Sequence, residues 1–138
     1  MNWSLLSSQQ RDARIHEQVM HLPLETPCTS GELDVYKDFY WQCTCGWEGP
    51  INGNTAHAIP IPVYTTDMNA AWKVVGSIHE RLFSVRQRFL LEVYLQVSTA
   101  KWDRRRDIHW QEVLFYITPD IICKAALIAV GVVLEEEG

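Results

Sequence analysis

The stretch Pro62–Leu82, PVYTTDMNAAWKVVGSIHERL, constrains this chain more than any other. Pro62 cannot continue a helix, and it biases Ile61 towards extended backbone. Thr65 or Thr66 can cap a helix by accepting from a first-turn N–H, and Asp67 puts negative charge at the positive end of the dipole. Met68, Ala71, Trp72, Val75, His79 and Leu82 then recur at steps of three and four, one apolar stripe on a helix of about four turns. Asn69, Lys73, Ser77 and Glu80 fall off the stripe, and Arg81 suits the negative end. Gly76 costs up to about 1 kcal/mol relative to Ala in a helix interior, so the sequence predicts a close approach there by another backbone or a large side chain. The stripe reads as a core element. Tyr64 to Met68, at its start, is the part that a ligand could use.

Upstream, Ser7 or Ser8 can cap a first helix running to about His21. Ile15, Val19 and Leu22 give it a thin apolar edge, with Arg11, Asp12, Arg14, Glu17 and Gln18 on the polar remainder. Pro23 and Pro27 end it. Val35–Cys45 (VYKDFYWQCTC) reads as one aromatic-rich strand, and Thr44–Gly53, with three glycines and a proline, reads as a turn. Ile59–Val63 carries two prolines and fits only an edge strand or a connector.

Downstream, Phe89, Leu91, Val93, Leu95 and Val97 alternate with Arg88, Leu90, Glu92, Tyr94 and Gln96, which predicts a strand from about Arg86 to Ser98. A helix competes, because Gln, Leu, Arg and Glu are good helix formers. Lys101–Asp107 (KWDRRRD) is expected to turn, so that Ile108–Ile117 pairs back as a hairpin. Thr118-Pro119-Asp120 supplies cap, first-position proline and first-turn acid for a last helix, apolar nearly all round from Ile121 to Val130 and stopped by Gly131. Val132–Leu134 is expected as a short final strand. The order predicts an α+β fold: a small antiparallel sheet flanked by helices in a layered α/β/α sandwich. A single domain over residues 1–138 is expected, with a Cys-containing loop at 23–62.

The 138 residues suffice for one hydrophobic core, and a net charge of −5 argues against general nucleic-acid binding. No apolar run is long enough to span a bilayer, and Trp3, Leu5 and Leu6 follow no basic start, so neither a membrane span nor a signal peptide is expected. Four cysteines in a chain expected in the cytoplasm point to thiols or a metal rather than disulfides. Cys28, Cys43, Cys45 and His57 offer four soft donors for a tetrahedral Zn²⁺. The phrase Trp41–Trp47 (WQCTCGW) looks like half of a zinc ribbon, with Cys-x-Cys spacing instead of Cys-x-x-Cys. Buried or half-exposed thiols before a glycine turn are the alternative, and Cys123 reads as core.

No Gly-x-Ser-x-Gly elbow and no phosphate-binding glycine loop is present, so no enzyme is expected. His16, His21 and His79 read as structural, and Asp67 and Asp120 as caps. Lys101, Arg104, Arg105 and Arg106 with Trp102 and Trp110 form one basic aromatic cluster, able to clamp a phosphate and stack a base. A solvated turn neutralised by Asp103 and Asp107 is the plainer reading.

Tyr64–Val75 (YTTDMNAAWKVV) and Thr118–Val130 (TPDIICKAALIAV) resemble the motifs of small phage proteins of the phage ABA sandwich domain family. The matching residues are Tyr64, Thr66, Asp67, Ala70, Ala71, Trp72, Val74 and Val75, then Thr118, Pro119, Ile122, Cys123, Ala125, Ala126, Leu127, Ala129, Gly131 and Val132. Arg14–Met20 (RIHEQVM) is similar to that family's N-terminal helix, and a Cys-containing loop before the first motif is usual there. Thr65 replaces a serine, and Asp120 stands where an apolar residue is common. The resemblance implies a phage origin, helix–sheet–helix layering and action in the cytoplasm of an infected bacterium. It licenses no catalytic role, since the motif residues are caps and core. The expectation is a non-enzymatic accessory protein that blocks a host component, in its most concrete form an inhibitor or sponge for a host immune protein or its nucleotide signal. A small zinc-stabilised structural or adaptor protein is the alternative. The apolar last helix makes a homo-oligomer plausible.

Overall fold

The computed structural model describes residues 1–28, 33–37, 40–50, 57–101, 113 and 115–134. They fall in two compact units: Met1–Leu22 with Pro62–Gly138, and Pro23–Ile61. The fold class is α+β. Among the described residues the helices lie in the first unit and the strands of the sheet in the second.

In the first unit, a short 3₁₀ turn, Trp3–Leu5, precedes helix α1, Ser8–Gln18. Ser7 and Gln10 form a reciprocal capping box at its start. The helix ends earlier than His21, which takes a left-handed φ of 53°. Ile15 and Val19 are buried, as their spacing predicts, whereas Leu22 is exposed. Asp12 departs from the polar surface assigned to it: it is buried, and its Oδ1 accepts from both the backbone N–H and the hydroxyl of Thr65, each at 2.8 Å. It stands three residues before Ile15 and seven before Val19, on the apolar face itself.

That bond decides how the next helix begins. Thr65 is engaged by Asp12, so Asp67 is the N-cap of α2, Met68–His79, accepting from the Asn69 N–H at 3.0 Å. The buried stripe of α2 is Ala70, Ala71, Val74 and Ile78, rotated from the expected one; Trp72 is 53% exposed and Leu82 78%. Gly76 does not mark a close approach, since a Cβ there would meet nothing within 4 Å. Arg81 instead reaches back to donate to the Val19 carbonyl.

The expected strand from Arg86 to Ser98 is a helix, α3, Phe83–Lys101. Phe89, Val93 and Val97 are buried, while Leu91 and Leu95 are half-exposed. Four-residue spacing is one turn of helix, so only every second member of the alternating set reaches the core. The pairing hairpin is likewise overturned: Val113, Phe115 and Tyr116 have helical backbone, and the other residues of 102–114 lie outside the described set. The short strand expected at Val132–Leu134 is absent, leaving irregular backbone.

Helix α4, Pro119–Ala129, begins as its sequence predicts, with the Thr118 hydroxyl accepting from the Ile121 N–H. It ends in paired bonds from Gly131 to the Ile128 carbonyl and from Val132 to the Leu127 carbonyl, a Schellman closure. The helix packs against α1, α2 and α3, which cover the apolar surface that made self-association plausible. Ile122, Cys123, Ala125, Ala126, Leu127 and Ala129 are all buried, and their small members let neighbouring helices come near. Tyr64, itself buried, links two of these elements: its hydroxyl lies 2.8 Å from His16 Nδ1, and its carbonyl accepts from the Cys123 thiol. Burial first, then the nearby Asp120 and Asp12 charges, raise the Cys123 thiol far above its ordinary range, so it stays neutral at neutral pH. Asp120 does more than start the helix. It accepts from the Trp3 indole and from Arg11, whose guanidinium lies 5.0 Å from the Trp3 ring centroid.

Replacing Asp12 tests the bond on which this arrangement rests. Asp12→Ala leaves a buried Thr65 N–H without its acceptor and is expected to cost about 3 kcal/mol in denaturant unfolding; Asp12→Asn, which keeps an acceptor oxygen, is expected to cost about half that. Equal, small losses in both variants would show that the carboxylate is not what holds Thr65.

Candidate metal centre

The Pro23–Ile61 unit is built on a three-stranded antiparallel sheet in the order β1-β2-β3. Its strands are β1, Leu33–Lys37, β2, Tyr40–Cys43, and β3, Glu48–Pro50. The stretch read as one aromatic strand is therefore a hairpin, with Lys37 opposite Tyr40 and a register irregularity between Val35 and Lys37. Trp41 pairs with Gly49, and Gln42 with Glu48, across the second turn. That turn begins within the segment predicted to turn, of which residues 51–53 lie outside the described residues. Ile59–Val63 forms no strand, but the neighbouring Ala58 makes an isolated antiparallel bridge to Pro27.

These backbone pairings carry the four candidate ligands together. Cys28 donates its N–H to the His57 carbonyl at 3.0 Å, and Ile59 donates to the Thr26 carbonyl at 2.8 Å, which fixes two sequence-distant ligands side by side. Cys43 closes β2, and its carbonyl accepts from the Gly46 N–H at 2.9 Å. Gly46 has φ +100°, a left-handed turn that turns the chain back directly after Cys45. The donor atoms of Cys28, Cys43, Cys45 and His57 all lie within 4.8 Å of one another. Cys28 Sγ is 3.7 Å from Cys43 Sγ, and Cys45 Sγ is 3.3 Å from His57 Nε2. Cys43 is buried, and the other three are partly exposed. The set can hold a metal ion.

Burial raises the Cys45 thiol above its ordinary range, a hydrogen bond from the Trp47 backbone opposes this, and the Cys43 and Cys28 sulfurs add to the rise. A dication among the sulfurs would reverse that balance and favour thiolates. The His57 ring is also held in place. Trp47 stacks on it with centroids 4.3 Å apart and 8° between planes. Gly49 makes that possible, since a Cβ at this position would collide with the Trp47 ring. Sequence reading marked the four ligands but missed Trp47 and Gly49 as their support. The one clue was a tryptophan two residues after a ligand cysteine, with a glycine two residues beyond it.

Of the basic aromatic cluster, Lys101 closes α3 and so is helical rather than part of a turn. Trp102, Arg104, Arg105, Arg106 and Trp110 lie outside the described residues. No helix among the described residues is long and apolar enough to cross a membrane. No family model, curated protein or solved structure matches the chain.

The support around His57 gives a sharp prediction. Gly49→Ala should push Trp47 off the imidazole and weaken metal binding by about 10-fold, the scale at which the groups that orient metal ligands act. Competition with a chromophoric chelator measures it, and unchanged affinity would detach the Trp47 stack from the centre.

Proposed function

We propose that the protein is a non-enzymatic binding module whose Pro23–Ile61 unit is held together by a structural zinc ion. One observation carries this reading. Three thiols and an imidazole converge within 4.8 Å in a unit of about 40 residues, around a buried Cys43. A segment of about 40 residues seldom folds on its own without a disulfide or a metal. A metal held by the converged thiols and imidazole would supply such a cross-link.

Zinc suits the donor set. Thiolate and imidazole are soft to borderline ligands, which zinc takes in tetrahedral sites. Zn–S bonds of about 2.3 Å and a Zn–N bond of about 2.0 Å imply donor separations of about 3.5–3.8 Å in a tetrahedron. The sulfur pair at 3.7 Å lies in that range, and the sulfur–nitrogen pair at 3.3 Å lies just short of it. Four protein donors would fill the tetrahedron and leave no position for a reacting water, which is what separates structural from catalytic zinc. Zinc bound this way contributes on the order of 10 kcal/mol, comparable with the whole stability of a small domain.

A module of this kind acts by binding. The resemblance to phage proteins supports a partner inside an infected bacterium, a host immune protein or its nucleotide signal, which the module would block.

Protein purified without added zinc is expected to carry about one equivalent of it, and a strong chelator to collapse the metal-held unit selectively. In that case the indole N–H signals of Trp41 and Trp47 lose their dispersion while that of Trp3 keeps its own. Zinc below about 0.1 equivalent, or Trp41 and Trp47 signals indifferent to chelation, would remove the reading.

A further inference from the structure

We infer that the hollow between α2 and α3 is a binding site for a small monocarboxylate with a compact apolar body. The hollow is half-open, has a volume of about 220 Å³, and is walled by Val75, Ile78, Phe83, Phe89 and Leu90. It lies wholly within the helical unit.

A cation is set into this apolar wall. Arg86 lines the hollow, with its guanidinium 5.7 Å from the centroid of the Phe83 ring. Its Nε–H is buried and has no hydrogen-bond partner among the described residues. Buried donors are almost always paired, because leaving one unmet forfeits its bond to water. Among the described residues no aspartate or glutamate lines the hollow. Arg86 also stands in the first turn of α3, which holds no acidic residue, so its charge sits at the positive end of the helix dipole. An anion in the hollow would neutralise a charge set in apolar surroundings and suit the helix terminus, and a turn of the Arg86 side chain would bring its buried Nε–H to that anion. The three observations are separate in origin and ask for the same partner.

The walls specify the rest of the ligand. Phe83 is 65% exposed and Leu90 48%, so the rim leaves apolar surface in water that a hydrophobic body would cover. A single guanidinium fork matches a single carboxylate in geometry and charge. A phosphate dianion would call for further cations, and among the described residues His79 and Gln87 are the only other polar side chains lining the hollow. The volume admits a body the size of a phenyl ring or a short alkyl chain, not a long acyl chain.

Titration of the zinc-replete full chain with benzoate and with hexanoate, followed by NMR of the Phe83 and Leu90 side chains, tests this. Benzoate or hexanoate is expected to saturate with a Kd on the order of 1 mM or tighter. Acetate, which lacks the body, and benzyl alcohol, which lacks the charge, should bind at least about 10-fold more weakly. Arg86→Gln should weaken benzoate by at least about 10-fold and leave benzyl alcohol unchanged, while Arg86→Lys, which keeps the charge but not the fork, should fall between. Absence of a saturable shift with both acids, or benzoate bound equally by Arg86→Gln, would overturn the site. If the glutamine variant does not fold, the comparison of benzoate with acetate and benzyl alcohol on the native chain decides alone: equal binding of all three overturns it.

Discussion

A short chain segment must find its cohesion somewhere, and in the Pro23–Ile61 unit the feature that offers it is the convergence of Cys28, Cys43, Cys45 and His57. Its described side chains are exposed or half-exposed apart from one cysteine. Three strands this short are marginal in water by themselves. What the unit does have is four metal-ligating groups, delivered to one point by three backbone devices: the bridge joining Pro27 to Ala58, the end of β2, and the left-handed turn at Gly46.

The helical unit solves the same problem in the ordinary way. Helix α4 is apolar on nearly every side because three helices of its own chain lie against it. The buried Asp12 carboxylate ties α1 to the backbone immediately before α2, and Tyr64, the next residue back, reaches both His16 and Cys123. Residues 64 and 65 thus form the joint of the unit. Their place in the most recognisable stretch of the sequence reflects packing rather than chemistry.

How much of this was legible depended on whether the deciding force was local. Helix ends were readable at Ser7, at Thr118-Pro119 and at Gly131, because caps and left-handed stops are settled within a few residues. The N-cap of α2 was placed one or two residues early, since Thr65 is claimed by Asp12 from 53 positions away. The stripe of α2 was rotated for a related reason: small alanines face α4, and the bulkier Trp72 is left outside. Helix α3 was misread as a strand because Phe89, Val93 and Val97 satisfy a period of two as well as one of four. Only packing against α4 chooses between them. The metal quartet was legible by residue type, because thiols and imidazole at one site are chemically telling even at irregular spacing. The stacking of Trp47 on His57 and the room left by Gly49 were not, since they exist only once the strands pair.

X-ray absorption at the zinc edge of the purified protein tests the central claim most directly. The account predicts a four-coordinate shell of three sulfurs at about 2.3 Å and one nitrogen at about 2.0 Å. A shell dominated by oxygen, or a protein with no zinc to absorb, would contradict it.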